Sequence, residues 1–421
     1  MSTTTPSAPA PLDPTAAVVS TGAAADDSVG AHVRAWWTGV RGGELGSLPI
    51  VVGLVIIAIV FQVQNSNFLT AGNFVNLIVQ AAAITTIAMG IVFILLLGEI
   101  DLSVGFVSGV GGVIVAQLTL VGGSFGYGGA VAIFVALLAG LAIGTLHGLL
   151  VTKLGMPSFV VTLAGLLAWN GAVLLLIGSA GTLTIQSKLI VNLANGFLSE
   201  GLAWALVAAC VLLYAGILLF GRRSRAAAGL ASEPVALMAA RVAVLAVLAI
   251  ALVYVTNQDR GVPYILLVLA VLYMMWTYVL TRTRFGRHVY AVGGNAEAAR
   301  RAGISVDRIR ITCFAISSMM AAFGGVVLAS RLVSVDTGAG GGTILLYSIA
   351  AAVIGGTSLF GGRGNIKSAV LGALVIASID NGLGLLGLSS GTKFVITGLV
   401  LLAAVTVDSL SRRNLQSSGR A

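Results

Sequence analysis

The chain has 421 residues, of which 58% are hydrophobic and only 9% are charged, whereas soluble domains carry about 25% charged residues. The mean hydropathy of +1.05 and the lack of polar helix faces exclude a soluble helical protein with a large core. The net charge of +9 predicts no nucleic-acid partner, because the basic residues are placed where a membrane topology explains them. The composition therefore predicts an all-α polytopic protein in a lipid bilayer.

Both ends of the chain are predicted to be tails. Residues 1–45 are rich in Ala, Ser, Thr and Pro, and such a segment cannot bury enough apolar surface to fold alone. It also lacks the basic start and short apolar run of a secretory signal. We expect a disordered cytoplasmic tail over 1–45, a transmembrane domain over 46–410 and a cytoplasmic tail over 411–421.

Twelve apolar segments between the tails are candidates for membrane spans. They cover about residues 49–63, 74–97, 103–121, 130–150, 159–178, 201–220, 237–256, 263–280, 311–331, 343–356, 367–385 and 391–408. The first and tenth are short for a full crossing, and the third follows the second with almost no loop. We therefore predict about 10–12 transmembrane helices, some of them broken or re-entrant.

The distribution of Lys and Arg predicts the orientation of these spans, because cytoplasmic loops carry the excess of basic residues. With a cytoplasmic N-terminus and strict alternation, nineteen of the 23 Lys and Arg residues fall on the cytoplasmic side. This split predicts that both termini are cytoplasmic.

Glycine spacing predicts close helix packing. Gly140, Gly144 and Gly148 recur every four residues in the fourth span, and Gly105 and Gly109 do so in the third. Small residues at this spacing give a flat helix face on which a neighbouring backbone can approach.

The sequence contains no recognisable catalytic set. His32, His147 and His288 are far apart and have no obvious partners, and Cys210 and Cys313 lie within apolar runs without metal-ligand spacing. No phosphate-binding loop of the G-x-x-x-x-G-K-[ST] type is present. We therefore predict no cofactor, no metal site and no enzymatic activity, and we expect any ATP hydrolysis to reside in a separate subunit.

Polar residues within or between the spans are candidates for a solute pathway or gate. Glu99 and Asp101 lie between two apolar spans, where Asp101 caps the next helix or is solvated in the loop. The alternatives are a role in gating or substrate passage, or proton coupling. The amides either hydrogen-bond neighbouring helices or line a passage for a hydroxyl-rich solute. The predicted pathway or gate residues are Asn76, Gln80, Glu99, Asp101, Asn170, Gly355, Gly356 and Asn381.

The longest cytoplasmic loop, residues 281–310, encodes a short helix with clear ends. Asn295 is a favourable N-cap, Glu297 lies near the positive helix end and Arg300 near the negative end, and Gly303 is a left-handed C-cap. The small side chains of this helix favour insertion into a partner's cleft over anchoring in the membrane surface, and a plain solvated loop is the alternative. The predicted docking residues are Asn295, Glu297, Ala298, Ala299, Arg300, Gly303 and Ile304.

Four ordered motifs resemble those of the permease subunits of bacterial ATP-binding-cassette importers for monosaccharides, in the ribose, xylose and galactose branch. They are GEIDLSVG at Gly98–Gly105, KLGMPSFVVTLAGLLAWNG at Lys153–Gly171, EAARRAGI at Glu297–Ile304 and SIAAAVIGGTSLFGGRGN at Ser348–Asn365. The chain departs from the family pattern with Glu99 and Ala164 in place of glycines, and it lacks the acidic residue that often precedes Ile349. An additional loop and span around residues 221–256 resemble the longer xylose-type permeases.

The resemblance implies a bundle of the type II importer kind and an ATPase subunit that receives EAARRAGI. It also implies a second permease chain, in a homodimer, and an external sugar-binding protein. The glycine pairs Gly355–Gly356 and Gly361–Gly362 are then expected to form a bend near the inner mouth. A stand-alone ion-coupled sugar carrier is the alternative function.

Overall fold

A computed structural model of the chain describes residues 47–120, 128–230 and 234–400, together with Leu402 and Thr406. The predicted tails over 1–45 and 411–421 lie outside the described residues. Their structure and the predicted domain boundaries therefore stay predictions.

Helices dominate the first half of the described chain. They are α1 (Leu48–Gln64), α2 (Ala71–Leu96), α3 (Val104–Leu118), α4 (Gly129–Lys153), α5 (Ser158–Ile177), α6 (Lys188–Asn195) and α7 (Glu200–Ala227), with a short 3-10 turn at Gly178–Ala180 and strand β1 at Thr182–Thr184 after α5. The α6 helix falls between two predicted spans and was not anticipated by the sequence.

The second half continues this architecture. It contains α8 (Val235–Asn257), α9 (Tyr264–Arg282), α10 (Arg284–Gly294), α11 (Ala296–Arg301), α12 (Val306–Leu332), strand β2 (Ser334–Asp336), α13 (Ile344–Ile354) and α14 (Ile366–Leu385). Residues 390–400 are also helical and coincide with the start of the twelfth predicted span. Strands β1 and β2 pair antiparallel, with Thr182 opposite Asp336.

Eight helices in the described ranges are long and apolar enough to cross a membrane, namely α2, α4, the α5 helix with its 3-10 turn, α7, α8, α9, α12 and α14. The predicted short first and tenth spans are confirmed, because α1 has 17 residues and α13 has 11. The third span is also short, at 15 residues, because α3 starts only at Val104 and ends at Leu118. The prediction of a polytopic all-α membrane protein is confirmed.

Local chemistry sets several of the helix starts. Pro49 lies in the first turn of α1, where its missing N–H is not needed. The Thr70 hydroxyl accepts the backbone N–H of Asn73 at the start of α2, and the Asn365 amide oxygen accepts that of Ser368 at the start of α14. These caps fix the ends of two helices that carry candidate site residues.

The described chain divides into two compact units. One unit contains the described residues 212–230 and 234–245, which overlap the additional segment noted in the sequence. The other unit contains the described residues of 47–211, which exclude 121–127, and residues 246–400. Every candidate site residue lies in this unit.

The core of the larger unit is built around α12 and α2. In the apolar part of α2, 89% of the residues are buried. In the apolar part of α12, 72% of the residues are buried. The α4 helix packs against α12 through the predicted glycines, since a methyl group on Gly140 would lie 2.6 Å from the Ser318 carbonyl oxygen and one on Gly148 would lie 2.6 Å from the Ile311 Cα. Close backbone approach at this glycine face is therefore confirmed.

Candidate functional site: a surface helix, a glycine junction and a polar cavity

The α11 helix has the local structure that its sequence predicts. The Asn295 side-chain oxygen accepts the Ala298 backbone N–H at 2.9 Å, which satisfies one of the free donors at the helix start. Glu297 then pairs with Arg300 at 2.8 Å and with Arg301 at 3.3 Å, one turn further on. These contacts favour the helical conformation of a segment of only six residues.

The end of α11 is equally well defined. Gly303 has φ of +83°, its N–H donates to the Arg300 carbonyl at 3.0 Å, and the Ile304 N–H donates to the Ala299 carbonyl at 3.0 Å. This pair of bonds is the Schellman arrangement, which requires a residue that tolerates positive φ. The predicted glycine C-cap is therefore confirmed.

Most of α11 faces outward. Ala299 is 5% exposed and joins the hydrophobic core, so that it anchors the helix, and Ile304 is half-buried. The remaining predicted docking residues are exposed and form what we call the α11 surface: Asn295, Glu297, Ala298, Arg300 and Gly303.

The preceding helix α10 holds α11 against the bundle. Its buried residues Val289 and Val292 pack into the core, and the Phe285 ring stacks on that of Phe93 of α2 at 6.4 Å between centroids. The Tyr290 hydroxyl donates to the Gly364 carbonyl at 2.7 Å. Burial raises the pKa of the Tyr290 phenol, so the group stays a hydrogen-bond donor at neutral pH.

Directly before α11, three backbone segments meet without side chains between them. Gly293 packs against the Leu96 carbonyl at the end of α2, and the Gly362 N–H donates to the same carbonyl at 2.9 Å. A methyl group on Gly361 would lie 2.7 Å from the Gly293 carbonyl oxygen and 3.0 Å from the Gly98 nitrogen. We call this set, Leu96 and Gly98 with Gly293 and Gly361–Gly362, the glycine junction.

The glycine junction joins the end of α10, directly before α11, to two other parts of the bundle by backbone contact. One is the end of α2, and the other is the loop between α13 and α14. Both Gly361 and Gly362 have positive φ, of +85° and +72°, as their places in the turn require. The sequence showed these glycines as pairs, but it gave no sign that Gly293 would meet them.

Glu99 lies beside the glycine junction in an ion pair. Its carboxylate is 3.1 Å from the Arg310 Nε, and the two side chains are 14% and 29% exposed. This pairing ties the loop after α2 to the start of α12. It also gives Glu99 a fixed cationic partner, which the sequence did not predict.

Asp101 is buried, at 3% exposed, and accepts hydrogen bonds from two serines. The Ser103 N–H donates to its Oδ1 at 3.0 Å and the Ser103 hydroxyl donates to the same oxygen at 2.6 Å, while the Ser317 hydroxyl lies 3.4 Å from Oδ2. The carboxylate therefore holds the turn before α3 through Ser103, the N-cap residue, and it accepts no backbone N–H of the helix itself. It is not a solvated loop residue.

His147 has partners that its sequence position did not reveal. The Trp169 indole N–H donates to the His147 Nε2 at 3.2 Å, so the ring proton is on Nδ1, which lies 3.3 Å from the Ser103 hydroxyl. The prediction that His147 has no obvious partner was wrong, because its two partners, Trp169 and Ser103, lie 22 and 44 residues away in the chain. The chain of donors runs from Trp169 through His147 and Ser103 to Asp101.

Gly355 and Gly356 form a turn at the end of α13. Gly355 packs on the backbone of Ser368 in α14, where a side chain would not fit, and Gly356 has φ of +102°. A bend at this pair is thus present. A role for it in gating stays a prediction.

The polar residues at the start of α2 lie at the other end of that helix, about 30 Å from Leu96 at 1.5 Å per residue. Asn73 and Asn381 exchange two amide hydrogen bonds, at 2.8 and 3.0 Å, and Asn381 also donates to Gln80 at 3.2 Å. The Arg260 guanidinium donates to the Asn76 side-chain oxygen at 2.7 Å. These amides link α2 to α14 and to the segment before α9.

Asn76 and Gln80 also line a cavity of about 200 Å³, together with Asn195, Arg260 and Arg331. The last three were not singled out from the sequence, since each stands alone in its own segment. Asn170 is half-buried on α5 and does not line this cavity. The predicted pathway residues therefore fall into two groups at opposite ends of α2, with Asn170 outside both.

Comparison with known proteins gives relatives across almost the whole chain. The xylose transport system permease protein XylH of Escherichia coli (strain K12) is 35% identical over 378 residues, 90% of this chain and 95% of that protein. The ribose import permease protein RbsC of Bacillus subtilis (strain 168) is 32% identical over 366 residues, 87% and 94% respectively. No solved structure gives a significant match.

These relatives confirm the resemblance to sugar permeases that the four motifs indicated. A family of known proteins also matches residues 73–405, which contain all but the first two residues of α2, the glycine junction, α11 and the polar cavity. The chain belongs to the family described as branched-chain amino acid transport system / permease component.

Proposed function

We propose that this chain is the membrane-spanning permease subunit of an ATP-driven importer and forms the translocation pathway for a monosaccharide, with xylose as the first candidate. The single observation that carries the proposal is the α11 surface, a short helix that is capped at both ends, exposed, and preceded directly by Gly293 of α10, whose backbone packs against the end of α2. The relatives are named as xylose and ribose permeases, which favours a pentose.

The partners follow from this function. An ATPase subunit binds the α11 surface, so this end of the bundle faces the cytoplasm of a bacterial inner membrane. Both chain termini lie on the same side, as the distribution of Lys and Arg predicts. A sugar-binding protein delivers the solute at the opposite end, and a second copy of the chain completes the pathway as a homodimer. The permease chain itself is not catalytic, and ATP is hydrolysed in the ATPase subunit.

The glycine junction is the element through which ATPase movement reaches the pathway. A displacement of α11 acts on the Leu96 carbonyl and on Gly361 through contacts that contain no flexible side chain. Because no flexible side chain lies between them to absorb the displacement, these contacts pass it on to α2 and to the loop before α14. The bundle then switches between two states if the ATPase interacts more strongly with one state than with the other. The Glu99–Arg310 pair and the Asp101 hydrogen bonds hold the neighbouring helices in register.

Reconstituted transport tests the proposal. Proteoliposomes that contain the chain, its ATPase subunit and the binding protein should take up xylose only when ATP is enclosed on the α11 side. Uptake by this chain alone, driven by a proton gradient and abolished by Glu99→Gln, would instead establish the ion-coupled carrier. A complete complex that hydrolyses ATP without moving xylose, ribose or galactose would refute a monosaccharide importer.

A further inference from the structure

The cavity at the start of α2 is polar on several sides. Asn76 and Gln80 of α2, Asn195 of α6, Arg260 before α9 and Arg331 of α12 contribute its polar side chains, whereas Val79 and Ala194 are its apolar ones. Asn76, Asn195 and Arg260 are exposed and Gln80 and Arg331 are half-buried, so the cavity is open to a solute that arrives from outside the bundle.

Hydrogen bonds within the protein use only half of the amide groups that line the cavity. Asn76 and Gln80 accept through their side-chain oxygens, from Arg260 and Asn381, so both NH₂ groups keep their donors. Asn195 donates through its NH₂ group to the Ser330 carbonyl at 2.6 Å, so its side-chain oxygen keeps its acceptor capacity. The structure therefore leaves two amide NH₂ groups and one amide oxygen that can bind a ligand.

Arg331 adds further donors. It is half-buried near the end of α12, and within the described part of the chain its guanidinium has no hydrogen bond and no ion pair within 4 Å. A guanidinium carries five N–H donors in a rigid plane, so Arg331 can donate several hydrogen bonds to a ligand in the cavity. Arg260, by contrast, is held by Asp259 at 2.8 Å and over the Phe197 ring at 5.0 Å.

The lining of the cavity offers both donors and an acceptor. The Asp259 carboxylate neutralises Arg260, and the Asn195 side-chain oxygen is an acceptor beside the amide and guanidinium donors. An ionised phosphate or carboxylate group offers only acceptors, so it would leave the Asn195 oxygen without a donor. A neutral ligand with several hydroxyl groups fits better, because each hydroxyl both donates and accepts.

We infer that this cavity is a subsite that holds a neutral monosaccharide by its hydroxyl groups, with Arg331, Asn195, Asn76 and Gln80 as the contacting residues. The inference rests on the proposed transport function and adds the place of contact and the residues that make it. Binding there is weak, because conduction requires that a solute leave as readily as it enters. The cavity, of about 200 Å³, has room for one small solute.

Uptake by the complete complex separates a contact role from a structural one. Arg331→Gln should lower ATP-driven xylose uptake about tenfold, since a hydrogen bond from a charged group is worth a factor of this size. ATP hydrolysis stimulated by the loaded binding protein should stay within about twofold of the wild-type rate. Lys188→Gln, a matched loss of charge at the start of α6 outside the cavity, should leave both rates unchanged. An equal fall in uptake and hydrolysis for Arg331→Gln would make the residue structural and overturn the inference.

Ligand protection tests the subsite directly. In a Cys210→Ser, Cys313→Ala background, Asn76→Cys in the reconstituted complex without binding protein is labelled with a small maleimide. Millimolar xylose should slow this labelling, betaine should not, and Lys188→Cys should react at the same rate throughout. No protection by xylose, or protection by xylonate alone, would overturn the neutral-sugar subsite. Failure of the wild-type complex to transport any monosaccharide would count against the proposed function instead.

Discussion

At the scale of single residues, two adjacent glycines have opposite surroundings. A methyl group on Gly293 would overlap the Leu96 carbonyl, whereas one on Gly294 would meet nothing within 4 Å. Neither has the positive φ that would by itself demand glycine. The space beside each residue, and not its backbone conformation, therefore distinguishes the two.

We predict that Gly293→Ala uncouples the transporter. The added methyl group must push α10 away from the end of α2, at a cost of about 1–3 kcal/mol for overpacking, which is enough to shift a two-state equilibrium about tenfold. Sugar uptake per ATP hydrolysed should fall in proteoliposomes. Gly294→Ala is the matched control and should retain the wild-type ratio, and equal ratios for the two variants would remove the glycine junction from the mechanism.

A second residue-scale prediction concerns the buried donor chain. Ser103→Ala removes the link between Asp101 and His147 and leaves the buried imidazole N–H without its partner. The expected loss of stability is about 1–3 kcal/mol, seen as a lower melting temperature of the detergent-solubilised protein. Ser305→Ala is the control, because Ser305 is exposed and its side chain makes no capping bond. A melting temperature equal to that of Ser305→Ala would show that the contact contributes nothing.

At the scale of elements, α11 is a helix too short to be stable alone. Its N-cap, its two ion pairs, its glycine C-cap and the burial of Ala299 together compensate for that length. The surface ion pairs contribute little each, so the caps and the anchor decide its structure. The element is thus held rigidly while its outer surface stays free for a partner.

Charge reversal on α11 should disrupt this partnership. Glu297→Arg places a third cation beside Arg300 and Arg301 and opposes the helix dipole. We expect normal membrane insertion but at least about tenfold less ATPase subunit co-purified, the effect of losing about 1.4 kcal/mol of binding. Glu200→Arg makes the same change in the first turn of α7 and should have no effect on co-purification. Unchanged recovery of the ATPase with Glu297→Arg would exclude the α11 surface as its binding site.

At the scale of the whole molecule, the proposed topology places α11 and α6 on opposite sides of the membrane. In the background without native cysteines, Ala298→Cys should react with an impermeant thiol reagent only from the cytoplasmic side. Lys188→Cys should react only from outside, since both residues are exposed. Labelling of both positions from one side would require a different number of spans between them.

Much of the fold can be predicted from patterns along the amino-acid sequence. The apolar runs give the positions of the spans because lipid accepts only long apolar helices whose backbone groups bond internally. The structure of α11 is predictable for a different reason, since caps act within four residues. The glycine face of α4 could also be predicted from the sequence, because Gly140, Gly144 and Gly148 recur on one side of a single helix.

The candidate sites were predictable only in part. Asn76 and Gln80 could be selected because they share a helix face, but Asn195, Arg260 and Arg331, which complete the cavity, are single polar residues in three other segments. His147 and Trp169, which hydrogen-bond each other, are likewise single polar residues in two different helices. No local spacing rule brings together residues on different elements.

The sequence by itself determined that the chain is a bundle of membrane helices with one capped, exposed helix in a long polar loop. These features depend on lipid hydrophobicity and on hydrogen bonds between near neighbours in the chain. Only the tertiary structure decided that Gly293 meets Leu96 and Gly361, and that Arg331 faces Asn76 and Asn195 across a cavity. Those contacts arise from helix packing, which depends on the shapes of many side chains at once.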